Sequence, residues 1–254
     1  MKTSANILLT VIAAFSLNSC NTDNGPSYSC GIGGCIEDEN GSYSSESDCN
    51  ASCNSGGGVT DADGNNYPTV ILGTQEWAQR NLNVSTYRNG DLIPQVQDDT
   101  AWDDLSTGAW CYYENISADG PIYGKLYNWY AVNDPRGLAP TGWHVPSNDE
   151  WAVLIDLFGG PNDAGGPLKA TGTTYWNAPN TGATNASGFT ALGMGSRDGS
   201  LDFKNRGESG SWWTSTESSP AFARSRFMDF GNDAALGGYT SNKRNGHGVR
   251  IVKD

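Results

Sequence analysis

Two histidines, His144 and His247, are the only candidates for an imidazole base in this chain of 254 residues. Nucleophilic hydrolysis requires a Ser or Cys beside a His that a carboxylate orients, yet neither Gly-x-Ser-x-Gly nor His-Glu-x-x-His occurs. Gly193-x-Gly195 is followed by Asp198, where a dinucleotide fingerprint requires Gly. We therefore predict no catalytic residue and no cofactor. His144 is expected to make a structural hydrogen bond, and His247, between two glycines, to lie at the surface.

The cysteines are the other reactive side chains, and they are Cys20, Cys30, Cys35, Cys49, Cys53 and Cys111. Four of them lie within residues 30–53, and neither pair has the two-residue spacing of a zinc knuckle. We predict two disulfides there and no metal site. A helix beginning near Ser45 would place Cys49 and Cys53 on one face, where they pair poorly. The expected pairings are therefore 30–49 with 35–53, or 30–53 with 35–49.

The first twenty residues resemble an export signal. Lys2 precedes an apolar run over residues 7–17 that is too short to span a bilayer. Leu17-Asn18-Ser19-Cys20 resembles the lipobox of bacterial lipoproteins, which implies that residues 1–19 are removed and Cys20 is acylated; the alternative is an ordinary secretory signal cleaved near Ser19. We expect a protein of the cell outer membrane that is held by its lipid anchor alone and exposed to the periplasm or the cell surface.

Composition divides the remaining chain into four parts. A polar tether covers residues 20–29, a cysteine-rich module residues 30–53 and a Gly/Ser linker residues 54–58, which leaves residues 59–254 as the main domain. The module resembles short Cys-rich modules that precede larger domains in Bacteroidetes surface lipoproteins. We interpret it as a spacer between the membrane and the main domain, with a binding role as the alternative.

Charge argues against nucleic acid as a partner. The chain has 15 Lys and Arg against 28 Asp and Glu, a net charge of −13, so it lacks the cations that neutralise phosphates. Nine of the basic residues lie after residue 195, which makes the C-terminal quarter mildly cationic. The 33 Gly and 11 Pro predict few helices and many loops, and the aromatic residues supply enough apolar surface for a core.

Local patterns predict an α+β domain with two helices and a twisted antiparallel sheet. A capping box from Ser147 to Glu150 starts one helix, which Gly159 ends. A second helix is predicted over residues 124–133. Turns at Asp63-Gly64 and Gly73-Thr74 predict hairpins. Further strands are predicted at residues 188–192, 210–217, 224–230 and 249–252.

Six motifs, in this order and spacing, resemble the Fibrobacter succinogenes major paralogous domain. They are Gly73-Thr74-Gln75-Glu76-Trp77 with Asn81-Leu82, Thr107-Gly108-Ala109-Trp110-Cys111-Tyr112-Tyr113, Tyr123-Gly124-Lys125-Leu126-Tyr127-Asn128-Trp129-Tyr130-Ala131-Val132, Pro140-Thr141-Gly142-Trp143-His144-Val145-Pro146, Ser187-Gly188-Phe189-Thr190-Ala191-Leu192 and Trp212-Trp213-Thr214-Ser215-Thr216-Glu217. The resemblance covers about residues 60–252. It implies a C-type-lectin-like fold, in the branch that includes formylglycine-generating enzymes and retroelement-diversified binding proteins.

Departures from that family bear on the cysteines. Ala139 and Ile251 stand where the family often has a pair of cysteines, which suggests that apolar packing replaces one disulfide. Cys111 then has no partner in the main domain, and we expect it to be a buried, unreactive thiol. The formylglycine-generating relatives use cysteines near the C-terminus, and none follows Cys111 here, so the resemblance does not imply that activity.

Ligand binding is expected from the loops late in the chain, where Trp and Arg are concentrated and where the diversified relatives bind their ligands. The candidate ligand-binding residues are Trp212, Arg224, Arg226, Tyr239, Asn242, Arg244 and His247. The Glu-Pro-Asn and Gln-Pro-Asp triplets of calcium-dependent lectins are absent. We predict a lipid-anchored envelope protein that binds a glycan or protein ligand without catalysis. The alternatives are a structural component of an envelope assembly and a polysaccharide hydrolase.

Overall fold

A computed structural model describes residues 27–31, 34–37, 45, 55–198 and 202–254. Cys20, Cys49 and Cys53 lie outside these ranges, and so do residues 1–26. The lipidation site and both predicted disulfides therefore remain predictions, because each expected pairing includes Cys49 or Cys53. Strands β1 (Tyr28–Gly31) and β2 (Gly34–Glu37) form an antiparallel hairpin in which Cys30 is the register partner of Cys35.

Two five-stranded sheets form most of the main domain in the described part of the chain. The first has the order β3-β4-β5-β14-β8 and consists of β3 (Ser55–Thr60), β4 (Asn66–Leu72), β5 (Gln75–Ala78), β8 (Trp143–His144) and β14 (Val252–Lys253). The second has the order β10-β9-β11-β12-β13 and consists of β9 (Met194–Arg197), β10 (Phe203–Arg206), β11 (Ser209–Ser219), β12 (Phe222–Asp229) and β13 (Ala235–Asn242). A short pair, β6 (Trp110–Cys111) and β7 (Leu126–Tyr127), is separate.

The helices are short. They are α1 (Asp99–Asp103), α2 (Gly120–Tyr123), α3 (Trp129–Val132), α4 (Asn148–Leu157) and α5 (Gly165–Leu168), with 3-10 turns at Tyr113–Asn115 and Ser117–Asp119. None of the helices among the described residues combines the length and the apolar character needed to cross a membrane. The domain is therefore of the mixed α+β class, with mostly sheet and few short helices, as the composition predicts. The expected two helices and single antiparallel sheet are wrong in detail, because the described residues form five short helices and two large sheets, and β9 pairs with β11 in parallel.

The predicted capping box and the two predicted hairpin turns are confirmed. Ser147 Oγ accepts from the Glu150 N–H at 3.2 Å while the Glu150 carboxylate accepts from the Ser147 N–H at 2.7 Å, so both halves of the capping box are formed at the start of α4. Gly64 has φ +84° in the turn between β3 and β4, and Gly73 has φ +62° between β4 and β5. Both hairpins are thus positioned by glycines in the left-handed region.

The helix predicted over residues 124–133 is wrong for its first half. Gly124 has φ +75°, and the N–H groups of Lys125 and Tyr127 donate to Leu82 and His247 carbonyls instead of to a preceding helical turn. The chain therefore forms β7, and α3 begins only after Asn128, whose Oδ1 accepts from the Ala131 N–H at 3.1 Å. The apolar residues of this segment have helical spacing, but hydrogen bonds to the distant Leu82 and His247 carbonyls determine its structure.

The late strand predictions differ in outcome. Residues 210–217 lie in β11 and residues 224–229 in β12, as expected. Residues 188–192 form no regular strand, because Gly188 and Thr190 have positive φ angles. Of residues 249–252, only Val252 lies in a strand, where it pairs with Trp77 and His144.

Helix α4 is held to the two large sheets by aromatic packing. The Trp151 ring lies 5.0 Å from Trp77 of β5 and 5.6 Å from Phe189, with T-shaped geometry. It also lies 6.1 Å from Trp212 of β11. The four rings are buried and belong to one core cluster. Because this cluster joins α4 to β5 and β11, it fixes the first sheet relative to the second.

Buried cations bind loop carbonyls throughout the domain. Lys169 is fully buried, and its ammonium donates to the carbonyls of Thr181, Asp229 and Asn232 at 2.6–2.9 Å. Burial lowers the pKa of Lys169. The Thr181 and Asn232 carbonyls lie in loops and the Asp229 carbonyl lies at the end of β12, and each gains a buried donor. A single side chain thus joins the end of β12 to two irregular segments.

Replacing Lys169 by Met, which has a similar shape, is expected to lower the free energy of unfolding by about 2–4 kcal/mol, because three buried carbonyls lose their donor. Chemical denaturation followed by tryptophan fluorescence measures this change. Lys204→Met is the matched control, since Lys204 is exposed and pairs only with Asp198. Equal stability of the Lys169→Met variant and the unchanged protein would contradict the role assigned to this cation.

Candidate functional site

Three of the seven predicted ligand-binding residues are buried. The Trp212 indole donates to Asn81 Oδ1 at 2.9 Å, and the Arg226 guanidinium donates to the Asn148 backbone and side-chain oxygens. The expectation that His247 lies at the surface is wrong, since only 5% of it is exposed and its ring packs 4.5 Å from Trp213. Burial lowers the pKa of His247 to about 4. Trp212 and Arg226 thus bond to other parts of the core, and His247 lies in the core with both ring nitrogens unbonded to any described residue.

The other four predicted residues do not meet in one cleft. Arg224 donates to the Gly238 carbonyl at 2.6 Å, and Arg244 donates to the Asp103 carbonyl at 2.5 Å. Asn242 accepts from the Arg244 N–H at 3.0 Å, which shapes the turn. Tyr239 is the exposed member, with 51% of its surface accessible on β13. The fold itself thus uses Asn242 Oδ1 and Arg244 Nη1.

The cationic side chains of the C-terminal quarter are bonded within the protein. Besides the arginines above, four cations form ion pairs, and these pairs are Lys204–Asp198, Arg206–Asp119, Lys243–Glu217 and Lys253–Glu76. Arg197 pairs with Asp99 at 2.7 Å, and Arg250 donates to backbone carbonyls. The excess of Lys and Arg in this segment therefore reflects internal bonding and not an open basic surface.

Arg80 differs from every other Lys and Arg that the structure describes. Its exposed side chain makes no hydrogen bond, ion pair or ring contact within the described ranges. Both neighbours are fixed, because the Gln79 N–H donates to the Pro68 carbonyl at 2.9 Å and the Asn81 side chain bonds four groups in the core. An unpaired guanidinium is thus held on a rigid backbone just beyond the end of β5.

Arg80 lies between two adjoining cavities, which we call together the Arg80 groove. The first cavity, of about 200 Å³, is lined by Asn65, Asn66, Tyr67, Asn83 and Gly120. The second, of about 240 Å³, is lined by Gln79, Ile122, Tyr175, Thr190, Leu192 and Arg250. Arg80, Asn81 and Pro121 line both. The groove therefore has a carboxamide half and a more apolar half with the free guanidinium between them.

Several polar groups in the groove have no partner in the protein. The side chains of Asn66 and Gln79 make no hydrogen bond to any described residue, and Asn83 Oδ1 is buried without a donor. No Asp or Glu lines either cavity. Asn66 is exposed and Gln79 is half-buried, whereas Asn83 Oδ1 is enclosed by the protein. The Asn66 and Gln79 side chains can therefore bind a ligand that carries both donors and acceptors.

The groups that could perform nucleophilic chemistry are fixed in structural roles. Both ring nitrogens of His144 face carboxylates, Nε2 that of Glu150 and Nδ1 that of Asp254, each at 2.7 Å. Cys111 is a buried free thiol, as expected, and burial raises its pKa to about 11. Among the described residues, no group of three or more His, Cys, Asp and Glu side chains could hold a metal ion.

Arg80 is not among the residues predicted from the sequence, because the surrounding residues carry no recognised site pattern. One signal was present, since Arg80 is among the few basic residues of a strongly acidic segment between residues 59 and 195. Arg88 and Arg136 bond to other residues of the protein, whereas Arg80 does not. This difference is visible only in the tertiary structure.

A model of the Fibrobacter succinogenes major domain matches residues 70–253, well over half of the chain. The match confirms the resemblance inferred from the six motifs. No curated protein and no solved structure matches the chain.

His144 is expected to stabilise the fold in a pH-dependent way. Burial alone would lower its pKa, but the hydrogen bonds to Asp254 and Glu150 outweigh burial and raise the pKa above its ordinary value. The stabilisation is therefore complete below about pH 6.5, the ordinary His pKa, and is lost as pH rises through the higher pKa of the folded state. The contribution is at most about 1 kcal/mol, because solvent screens the half-exposed ring.

Melting temperatures of the unchanged protein and of His144→Gln test this expectation. Their difference should be largest near pH 6 and should shrink toward pH 9. Lys253→Gln, which removes an ion pair of the same sheet without a histidine, serves as the control. A difference for His144→Gln that grows with pH would show that the ring is neutral in the folded protein.

Proposed function

The chain belongs to the Fibrobacter succinogenes major domain family, and from this premise we propose that it is a lipid-anchored cell-envelope protein whose main domain binds a glycan without catalysing a reaction. The observation that carries the proposal is the Arg80 groove. Its lining includes the Arg80 guanidinium and the carboxamides of Asn66 and Gln79, which bond no described residue, and both cavities share Arg80, Asn81 and Pro121.

The size and lining of the Arg80 groove support ligand binding. Each cavity is smaller than the roughly 300–1,000 Å³ typical of small-molecule sites, whereas the two joined together reach that range. Carboxamides such as Asn66 and Gln79 both donate and accept, which suits hydroxyl groups that do the same. Pro121, Ile122 and Leu192 supply apolar surface beside them for the C–H faces of a sugar ring.

The absence of catalysis is supported by the state of the possible nucleophiles and bases. His144 has both nitrogens on carboxylates, and His247 is buried beside Trp213. Among the described residues, no Ser or Cys side chain bonds either ring. Among the described residues, neither histidine therefore has the bonded nucleophile that a catalytic triad requires.

The anchor and the stalk are proposed from the sequence. Acylated Cys20 would hold the chain, and the module with Cys30, Cys35, Cys49 and Cys53 would separate it from the membrane through two disulfides. The hairpin of β1 and β2 is compatible with such a module, since it aligns Cys30 with Cys35. The family resemblance further supports a C-type-lectin-like arrangement of the main domain.

A second candidate, a structural component of an envelope assembly, is favoured by the outer edge of the second sheet. β13 lies at the end of the strand order, and its residues 237–240 are exposed. Tyr239 and Phe222, 51% and 42% exposed, add aromatic surface there. Edge strands with exposed apolar groups can pair with another chain.

Binding to a printed glycan array tests the proposal, with the full-length chain purified in detergent. We expect saturable binding that the double variant Asn66→Ala and Gln79→Ala weakens about tenfold or more, because two ligand hydrogen bonds are lost. Tyr239→Ala is the matched control and should bind as the unchanged protein does. Loss of binding in Tyr239→Ala alone would place the glycan on the edge of the second sheet and overturn the Arg80 groove as the site.

Metabolic labelling with a fatty acid tests the anchor. The full-length chain is expected to take up label and to fractionate with membranes. Cys20→Ser should remove the label and release the protein, because a chain without acyl groups loses the apolar burial that holds it. Cys111→Ser is the control, since that thiol is buried and has no role in anchoring. Label that persists in Cys20→Ser would refute lipidation at this position.

A further inference from the structure

We infer that the Arg80 groove selects an acidic saccharide, with the carboxylate of a uronic acid on Arg80 and the neighbouring sugar residues in the two cavities. The inference rests on the proposed function and deepens it by naming the ligand class. Its starting point is the one described cation that the fold leaves without a partner.

Charge distribution sets the Arg80 groove apart from the rest of the protein. The chain carries 28 Asp and Glu and a net charge of −13, yet the lining of both cavities contains no Asp or Glu and includes Arg80 and Arg250. A cleft with one sign of charge attracts ligands of the opposite sign, and the surrounding acidic surface repels acidic chains that do not reach it. The groove is therefore the described surface best suited to an anionic group.

The carboxylate next to the first cavity does not cancel this charge. Asp61 lies behind Tyr67 and is itself buried. Its oxygens accept from the N–H groups of Asp63 and Asn65, from Asn65 Nδ2 and from the Tyr67 hydroxyl at 2.5–3.0 Å. Lys125, whose pKa burial lowers to about 8, lies close enough to Asp61 and Asp63 for the three charges to interact. Asp61 thus has its oxygens occupied and a cation nearby.

The two arginines of the groove have different roles. The guanidinium of Arg250 is fully buried and donates to Asn81 Oδ1 and to the carbonyls of Ala78, Phe189 and Thr190 at 2.7–2.9 Å, so four of its five N–H groups are used by the fold. Arg80 has all its donors available. A guanidinium binds a planar carboxylate through two parallel hydrogen bonds, which a lysine cannot reproduce.

The two halves of the Arg80 groove favour a saccharide longer than one residue. Each cavity alone is below the usual size of a binding site, and Arg80 lies where they meet. A ligand that uses both must cross Arg80. The carboxylate of an internal uronic acid residue would then face the guanidinium, while its neighbours contact the carboxamides on one side and Ile122 and Tyr175 on the other.

Titration calorimetry of the full-length chain in detergent with oligogalacturonate, its methyl ester and a neutral galactan of the same length tests the inference. We expect oligogalacturonate to bind, and both methyl esterification and Arg80→Gln to weaken binding about 10- to 100-fold, as expected for a lost charge-assisted pair. Arg80→Lys should restore only part of the affinity. Lys204→Gln, which removes the same charge elsewhere on the surface, should change nothing.

The other outcomes distinguish failure of the acidic-ligand inference from failure of glycan binding itself. Equal binding of neutral galactan by the unchanged protein and by Arg80→Gln, lost when Asn66 and Gln79 are replaced, overturns the acidic ligand and retains glycan binding. Binding that Lys204→Gln weakens as much as Arg80→Gln reflects diffuse charge and overturns the assigned site. No binding of any saccharide overturns both. Because the Arg80 side chain makes no hydrogen bond, ion pair or ring contact with a described residue, its variants should melt as the unchanged protein does, which a thermal scan verifies.

Discussion

The buried pair formed by Arg250 and Asn81 is the interaction on which the main domain depends. A fully buried guanidinium without a carboxylate is costly unless its donors are satisfied. Here Asn81 Oδ1 accepts from Arg250 Nε at 2.7 Å and from the Trp212 indole, and three backbone carbonyls bind the remaining guanidinium nitrogens. Burial lowers the pKa of Arg250 to about 9, so the charge is retained at neutral pH. This pair ties the end of β5 to β11 and to the segment at residues 189–190, and in doing so forms the floor of the Arg80 groove.

The same principle recurs wherever the chain is irregular. Lys169 binds three carbonyls, Arg88 donates to the carbonyls of Ala139 and Trp143, and Arg197 donates to those of Val96 and Gln97. A domain rich in Gly and loops has many carbonyls that no ladder satisfies, and each unsatisfied one would destabilise the fold. Long cationic side chains reach several loops at once. This explains why an acidic protein retains buried Lys and Arg, and why a cation without such a bond is informative.

The sequence predicts those parts of the fold whose cause is local. The capping box at Ser147, the glycine turns at Gly64 and Gly73 and the strands around Trp212 and Phe227 follow from residues a few positions apart. The broken helix at residues 124–133 and the burial of His247 do not, because both result from partners far along the chain, such as the bond from the Tyr127 N–H to the His247 carbonyl. The site was missed for the same reason. Tertiary contacts decide whether an arginine is free or bonded. The composition of the C-terminal quarter predicted binding by Lys and Arg residues that in the structure bond to other parts of the protein.

The position of β14 has a consequence for the order of events in folding. In the first sheet this strand lies between β5 and β8, and Val252 pairs with Trp77 on one side and with His144 on the other. The sheet therefore cannot close until the polypeptide through residue 253 has been made, and the domain cannot assemble progressively as its early strands emerge. Contacts this distant in sequence slow folding because a long loop must be ordered first. Because β5 and β8 are joined only through β14, a chain that lacks residues 252–253 leaves both strands with an unpaired edge.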